Sequence, residues 1–307
     1  MRLKAIWSEY PPFSRFVILV GLILFSAGII TVLGMMLVNP LFHIDLMTDP
    51  QALMRHDNPE TGNALKFLQL LQSVGAFIIP AFLMALFTST KPLQSLGLSF
   101  KPIPSTLLLA SVGVLIAIPF INWLAAVNAN LHLPTALQGV EDWMRKMEEQ
   151  TMELEKLMLD MHNISQLLFM LFLMAFIPAL GEEMIFRGII QKIFKSWTRN
   201  AHVAILLTAI IFSAMHMQFL GFFPRLILGI FLGYLLEWTG SLWIPICVHF
   251  VNNGTAVIFE YLADKNSASG ADTVGTLPGQ GWMAAVSLIV ALGIAFLIQK
   301  KKVTQEL

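Results

Sequence analysis

Charged residues are scarce in this chain, and their scarcity indicates the class of protein. Only 12% of the 307 residues are Asp, Glu, Lys or Arg, whereas 56% are hydrophobic and the mean hydropathy is +0.73. Soluble domains carry about twice that share of charge. The composition therefore excludes an ordinary soluble domain and predicts an integral membrane protein in contact with the lipid bilayer.

Features of several other protein classes are also missing. The single cysteine, Cys247, allows neither an internal disulfide nor a cysteine-based metal cluster. The chain has no Gly-rich phosphate loop of the Walker type, and its formal net charge is zero. Neither nucleotide nor nucleic acid is therefore expected as a partner. The internal repeats that are typical of many transporters are absent as well.

Apolar segments of a length that crosses a bilayer occur about eight times along the chain. They cover roughly 16–38, 65–88, 105–127, 166–190, 201–218, 222–239, 241–262 and 281–299. This pattern predicts an all-α bundle of about eight transmembrane helices, forming one domain over residues 1–307.

Lysine and arginine are distributed unevenly between the two sides of this arrangement. Short cytoplasmic loops are enriched in these residues, so their positions predict the orientation. One side carries Arg2, Lys4 and Arg15, then Lys91 and Lys101, then Lys192, Lys195 and Arg199, and finally Lys300 to Lys302. Both termini are therefore predicted to lie in the cytoplasm. The compact chain and its short loops are typical of a bacterial inner (plasma) membrane protein.

The longest polar segment, residues 139–162, lies between the third and fourth spans. Apolar residues recur in it at close to helical spacing, which predicts an amphipathic helix on the outer face. These residues are Val140, Trp143, Met147, Leu154, Met158 and Met161. Two roles remain open for it: a surface helix that packs on the bundle or lies in the membrane interface, and a lid that selects substrate.

Three ionisable residues interrupt the fourth span, in the stretch IPALGEEMIFRGII (177–190). A carboxylate in hydrocarbon is costly and normally faces the bundle interior at a functional position. Glu183 and Arg187 are four residues apart on one helix face, in the favourable order for an ion pair. Glu182 lies about 100° around the helix. We therefore expect a structural pair of Glu183 and Arg187, with Glu182 left available for chemistry.

The backbone around these glutamates is also expected to be irregular. Pro178 has no N–H to donate to the carbonyl of Met174, which predicts a kink one turn before Glu182. Gly181 has no side chain and permits a neighbouring element to approach closely. Together with the charges, these residues argue against an ordinary lipid-facing helix.

Two later spans carry polar residues at i, i+4 spacing. FSAMH holds Phe212 and His216, and HFVNN holds His249 and Asn253. A single intramembrane histidine is often an interhelical hydrogen bond, but the recurrence of such residues favours one catalytic group. With a turn near 197–201, Glu182 and His216 would both lie roughly 22 Å from it. His249 reaches that level only if the turn at 239–241 is submerged or its helix is tilted.

The stretches EEMIFR, FSAMH and HFVNN, in that order, resemble three motifs of the CPBP family (CAAX protease and bacteriocin-processing, or Abi, proteins). Those motifs are E-E-x-x-x-R, F-x-x-x-H and H-x-x-x-N. The resemblance covers roughly 165–260, the motif-bearing core, and no matching motif is found before about 105. It implies an eight-helix intramembrane endopeptidase, related to the Ras-converting type II CAAX prenyl endopeptidase, whose active site opens towards the cytoplasm.

The resemblance also implies roles for individual residues. Glu182 and His216 would activate the attacking water, and His249 and Asn253 would stabilise the oxyanion, which suits their chemistry. The expected reaction is hydrolysis of a peptide bond in a membrane-associated peptide or protein, without a cofactor or a covalent acyl-enzyme. The family has also been described as metalloproteases, so a zinc ion bound by Glu182, His216 and His249 is the alternative.

Two further questions remain open from the sequence. A non-catalytic membrane scaffold or a bacteriocin self-immunity protein is the alternative to an enzyme. The eukaryotic relatives imply a prenylated CAAX tail as substrate, whereas a bacterial chain favours peptides or membrane proteins.

Overall fold

The computed structural model describes residues 5–49, 51–54, 58–266, 274–277 and 279–305. Within these residues the protein is all-α, with no strand, as the sequence predicts. The described helices are α1 (Pro12–Phe42), α2 (Thr61–Thr88), α3 (Pro92–Leu96), α4 (Pro104–Ile116), α5 (Ile118–Ala129), α6 (Gln138–Met158), α7 (Ile164–Thr198), α8 (Ala201–Met215), α9 (Phe222–Thr239), α10 (Trp243–Asn266) and α11 (Gly281–Gln305).

Helix boundaries follow local chemistry. Proline is the first residue of α1, α3 and α4, where a missing backbone N–H costs nothing because the first turn has no acceptor for it. Asn200 caps α8 by accepting hydrogen bonds from the backbone N–H groups of His202 and Val203. Gly240 ends α9 with φ +69°, a conformation that glycine adopts without strain.

A helix lies at each of the eight predicted spans, although not all are long and apolar enough to cross a membrane by themselves. Five of the described helices meet that criterion, and a sixth span results if α4 and α5, which meet at 44°, are counted together. Helix α8 is apolar but has only 15 residues. Helix α10 carries His249, Asn252 and Asn253 in its centre, which lowers its hydropathy.

The bundle has two chemically different ends. At the basic end, the start of the chain pairs with the end of α2, since Ala5 N–H donates to the carbonyl of Leu86 at 3.2 Å. Leu242 N–H, between α9 and α10, donates to the carbonyl of Gly97 at 3.0 Å. Lys192 near the end of α7 donates to the carbonyl of Ser95.

Most of the basic clusters predicted to share one side lie at this end. Arg2 and Lys4 fall outside the described residues, as does the side chain of Lys302. The opposite end, here called the α6 end, holds the connection between α1 and α2, helix α6, and the connection between α8 and α9.

Helix α7 runs through the centre of the bundle. All of its residues from Gly181 to Gln191 are buried, including both glutamates and the arginine. The largest core cluster forms around this stretch and includes Phe186, Ile189 and Phe212. The EEMIFR segment therefore contacts other helices rather than lipid.

Helix α6 spans Gln138–Met158, slightly shorter than the predicted 139–162, and its packing differs from the expected pattern. Val140 and Trp143 are 46% and 47% exposed, whereas Glu141 and Glu148 are only 5% and 8% exposed. The apolar residues in its first half thus point away from the bundle. Its attachment there is polar, because carboxylates on this face receive hydrogen bonds from neighbouring loops.

These carboxylates, Glu141, Glu148 and Glu155, recur every seven residues and share one helix face. Hydrogen bonds from the backbone N–H of Leu133, from His132 and from Arg145 lower the pKa of Glu141 from 4.5 to about 2. Glu148 accepts from the backbone N–H of Leu220 at 3.3 Å, and Glu155 accepts from the Gln218 amide at 2.9 Å. This acidic stripe thereby ties α6 to the loop that follows His216.

Candidate active site

Helix α7 changes its winding on both sides of the two glutamates. A π-helical segment, Leu171–Phe176, precedes them and another, Phe186–Ile190, follows. Wider turns of this kind re-aim side chains and are frequent at functional sites. The first ends two residues before Pro178, where the sequence predicts a kink.

Gly181 provides the close approach that its lack of a side chain permits. A Cβ at this position would lie 2.9 Å from Cβ of Phe77 and 3.2 Å from Cγ1 of Ile78, both in a π-helical turn of α2. Contacts this short are not tolerated without movement of the backbone. The glycine therefore lets α7 and α2 pack against each other one residue before Glu182.

Glu183 and Arg187 form the buried ion pair expected from their spacing. The Glu183 Oε1 to Arg187 NH1 distance is 2.7 Å, and both side chains are fully buried. Arg187 also donates to the carbonyl of Gly229 on α9 at 3.0 Å, and its guanidinium carbon lies 4.6 Å from the centre of the Phe212 ring. The pair thus connects α7, α8 and α9.

Glu183 has a second partner that sequence spacing does not indicate. His249 Nδ1, on α10, lies 2.8 Å from the same Oε1 atom that contacts Arg187. The other ring nitrogen, Nε2, lies 3.8 Å from Glu182 Oε2. Glu183 therefore holds the imidazole in an orientation that directs Nε2 towards the neighbouring glutamate.

Glu182 contrasts with Glu183 in its surroundings. Its side chain is 11% exposed, whereas that of Glu183 is fully buried. The Oε2 atom of each glutamate is buried without a hydrogen-bond partner. Buried polar atoms normally have partners. The carboxylate borders a cavity of about 480 Å³ that is also lined by His216, His249 and Asn253. The structure thus brings the four predicted catalytic residues to one cavity.

His216 and Asn253 are each fixed by a local hydrogen bond. His216 caps the end of α8, with Nδ1 2.9 Å from the carbonyl of Phe212. A carbonyl oxygen only accepts, so Nδ1 carries the proton and Nε2 of the neutral ring is an acceptor. The Asn252 amide donates to Asn253 Oδ1 at 3.1 Å, which leaves the Asn253 amide nitrogen available as a donor.

The position of the turn between α9 and α10 explains how His249 reaches the same depth in the bundle as Glu182 and His216. A Cβ at Gly188 of α7 would lie 3.0 Å from Leu96 and 3.7 Å from Leu242, so this turn packs ten residues before the end of α7. The turn is therefore set back from the end of α7, which corresponds to one of the two conditions the sequence required.

Several residues of the cavity were not identified from the sequence as site residues. Besides the four catalytic candidates, it is lined by Glu155 of α6, Gln218, Arg225 of α9 and Asn252. From sequence alone, Arg225 is expected to extend to the membrane interface from a helix end. The structure instead places it at the cavity, where it donates to the carbonyl of Gln218 at 3.1 Å.

The arrangement was also compared with the needs of the zinc ion considered as an alternative. Among the described residues, no group of three or more His, Cys, Asp or Glu side chains is placed to hold a metal ion. The donors as placed do not fit a three-ligand zinc site.

Comparisons with known proteins agree with the motifs. Residues 164–255, which include all four candidates, match the family model described as "Type II CAAX prenyl endopeptidase Rce1-like". Over 93 residues the chain is 32% identical to "Uncharacterized protein YpbD" of Bacillus subtilis (strain 168), which covers 29% of this chain and 42% of that protein. The chain thus spans less than half the length of this curated relative, and no solved structure matches. Residues 164–255 of the chain are therefore similar to the CAAX-protease-like proteins that this family model describes.

Proposed function

We propose that this protein is an intramembrane endopeptidase that hydrolyses peptide bonds of membrane-associated peptides or proteins with a water activated by Glu182. One observation carries the proposal: Glu182, which is not the ion-pair partner of Arg187, borders a cavity shared with His216, His249 and Asn253. In the proposed reaction, the attacking water occupies this cavity between Glu182 and His216.

Glu182 acts as the general base in this mechanism, with His216 orienting the water. Nε2 of neutral His216 accepts a hydrogen bond from the water, because Nδ1 donates to the Phe212 carbonyl. Glu182 accepts the other water proton as the water oxygen attacks the carbonyl carbon of the substrate. General base catalysis of this kind contributes typically 10²–10⁴-fold to the rate.

His249 and Asn253 stabilise the negative charge that develops on the substrate oxygen. Asn253 offers its amide N–H. His249 has Nδ1–H directed at Glu183, so Nε2 donates only when the ring carries both protons. We therefore propose that the His249 ring carries both protons before the water attacks, so that no proton is added to it during the step. Glu183 and Arg187 act as positioning residues, since they orient His249 without bordering the cavity.

The step balances without a cofactor. The bond between the water oxygen and the carbonyl carbon forms, and the C–N bond breaks. The proton taken by Glu182 passes to the leaving nitrogen, giving a carboxylic acid and an amine; transfer of the remaining water proton to that amine gives the carboxylate and the ammonium group. The mechanism is proposed as metal-free because the donors do not fit a zinc site as placed.

The test is an unbiased comparison of peptide termini in membranes that contain the wild type or Glu182→Gln. Termini present with the wild type and lost with the variant would support the proposal and identify the substrates. Glu260→Gln is the matched control, because Glu260 is an exposed carboxylate at the same cavity with no role in the mechanism. A chelator that abolishes cleavage would contradict the metal-free mechanism.

The same experiment addresses the non-catalytic alternative. A scaffold or immunity protein requires the shape of the bundle but not the charge of Glu182. Identical termini and an unchanged phenotype with folded Glu182→Gln would therefore contradict the proposed activity and support a structural role for the buried network.

A further inference from the structure

Basic residues are concentrated at one end of the bundle. Eight lysines and arginines whose side chains the structure describes lie at the basic end: Arg15, Lys91, Lys101, Lys192, Lys195, Arg199, Lys300 and Lys301. Four lie at the α6 end outside the cavity: Lys66, Arg145, Lys146 and Lys156. Because Lys and Arg near the ends of spans remain in the cytoplasm, this asymmetry assigns the basic end to the cytoplasmic face.

The cavity lies in the other half of the bundle. On α7 the cavity is lined by Met174, Pro178 and Glu182; Glu182 lies near the middle of the helix, and the other two lie towards the α6 end. On α9 the cavity is lined by Arg225 and Leu228, in the first two turns after the α6 end. On α10 its lining extends as far as Ala263, close to the end of the helix.

The most accessible lining residues lie towards the α6 end too. Phe259 is 37% exposed, and Glu260 beside it is exposed. Glu155 and Leu159 of α6 line the cavity from another side. The stretch of α7 beyond Glu182 is instead buried as far as Gln191. The exposed residues of the cavity lining therefore lie towards the α6 end.

From these observations we infer that the active site is reached from the non-cytoplasmic face of the membrane. Its substrates are then exported peptides, or segments of membrane proteins that are exposed on that face. This inference rests on the proposed peptidase function and names the class of substrate. It departs from the cytoplasmic opening implied by the family resemblance, because the cavity and the basic loops lie at opposite ends of the bundle.

The test uses cysteine labelling in sealed membrane vesicles of right-side-out orientation. In a Cys247→Ala background, one cysteine is introduced at Glu260 (cavity), at Met152 (60% exposed on α6) or at Lys101 (basic end). We expect a membrane-impermeant maleimide to react with E260C and M152C in intact vesicles. K101C should react only after the vesicles are permeabilised. Reaction of all three variants after permeabilisation shows that each introduced cysteine is reactive.

A second measurement links sidedness to the reaction. A bulky impermeant maleimide on E260C should block cleavage in intact vesicles, whereas the same modification of M152C should leave cleavage unchanged. Labelling of E260C only after permeabilisation, or labelling of K101C together with E260C in intact vesicles, would overturn the inference. Labelling does not depend on turnover, so a protein without peptidase activity would fail the termini comparison while still reporting where the cavity opens.

Discussion

The two adjacent glutamates offer the sharpest prediction, because the same isosteric change at each should have opposite effects on stability. Glu183→Gln removes the charge that balances Arg187, which is fully buried. The Arg187 guanidinium would then keep only one unaltered hydrogen bond to another residue, the one to the Gly229 carbonyl. Breaking a buried ion pair on one side costs about 3–5 kcal/mol.

The predicted loss is measurable by thermal unfolding of the purified protein in detergent. With roughly 2–4 °C of melting temperature per kcal/mol, Glu183→Gln should unfold about 6–20 °C below the wild type. Glu182→Gln is the matched control. Glu182 Oε2 has no hydrogen-bond partner, so this variant should unfold at or above the wild-type temperature.

The double variant Glu183→Gln, Arg187→Met provides an additional check. It removes the uncompensated guanidinium and should recover part of the lost stability, because buried ion pairs are replaceable by apolar groups of similar size. Equal melting temperatures for Glu183→Gln and Glu182→Gln would refute the assignment of different roles to the two residues.

Three further predictions follow from packing and hydrogen bonds. Gly181→Ala should destabilise the protein by about 1–3 kcal/mol in the same unfolding assay, because the added Cβ would lie 2.9 Å from Cβ of Phe77. Gly28→Ala is the control and should not destabilise it, because nothing lies within 4 Å of the added Cβ. Glu155→Ala should lower kcat of peptide cleavage, because it releases Gln218 and the loop that follows His216. Glu155→Gln keeps a hydrogen-bond acceptor for Gln218 and should restore the rate. Equal rates for the two variants would contradict this role. The pKa of Glu141 is lowered from 4.5 to about 2, so its contribution to holding α6 is complete above pH 4.5 and is lost as the pH falls towards about 2. Limited proteolysis of α6 should report this loss. Glu141→Gln should remove the pH dependence.

The sequence predicts the secondary structure and much of the site because both depend on local patterns. Apolar segments correspond to helices, and the i, i+4 spacing correctly anticipates the contact between Glu183 and Arg187. Contacts between distant segments are different. The bond between Glu183 and His249 spans 66 positions and depends on how α7 and α10 are rotated, which the π-helical turns alter.

The packing of α6 illustrates the same limit. Apolar spacing predicts which face of an amphipathic helix is buried only where burial of apolar area dominates. In α6 the inward face carries Glu141 and Glu148, because loop N–H groups and side chains supply their hydrogen bonds. Those donors lie in other parts of the chain, so no periodicity within α6 reveals them.

The central claim is tested most directly by single-turnover cleavage with purified protein in liposomes, using a peptide identified from the termini comparison. Wild type and Glu182→Gln are compared at a temperature at which both proteins are fully folded. The account predicts that the variant cleaves at least roughly 10²-fold more slowly while still binding the peptide. A variant rate within a few-fold of the wild type would contradict the role of Glu182 as the base that activates water.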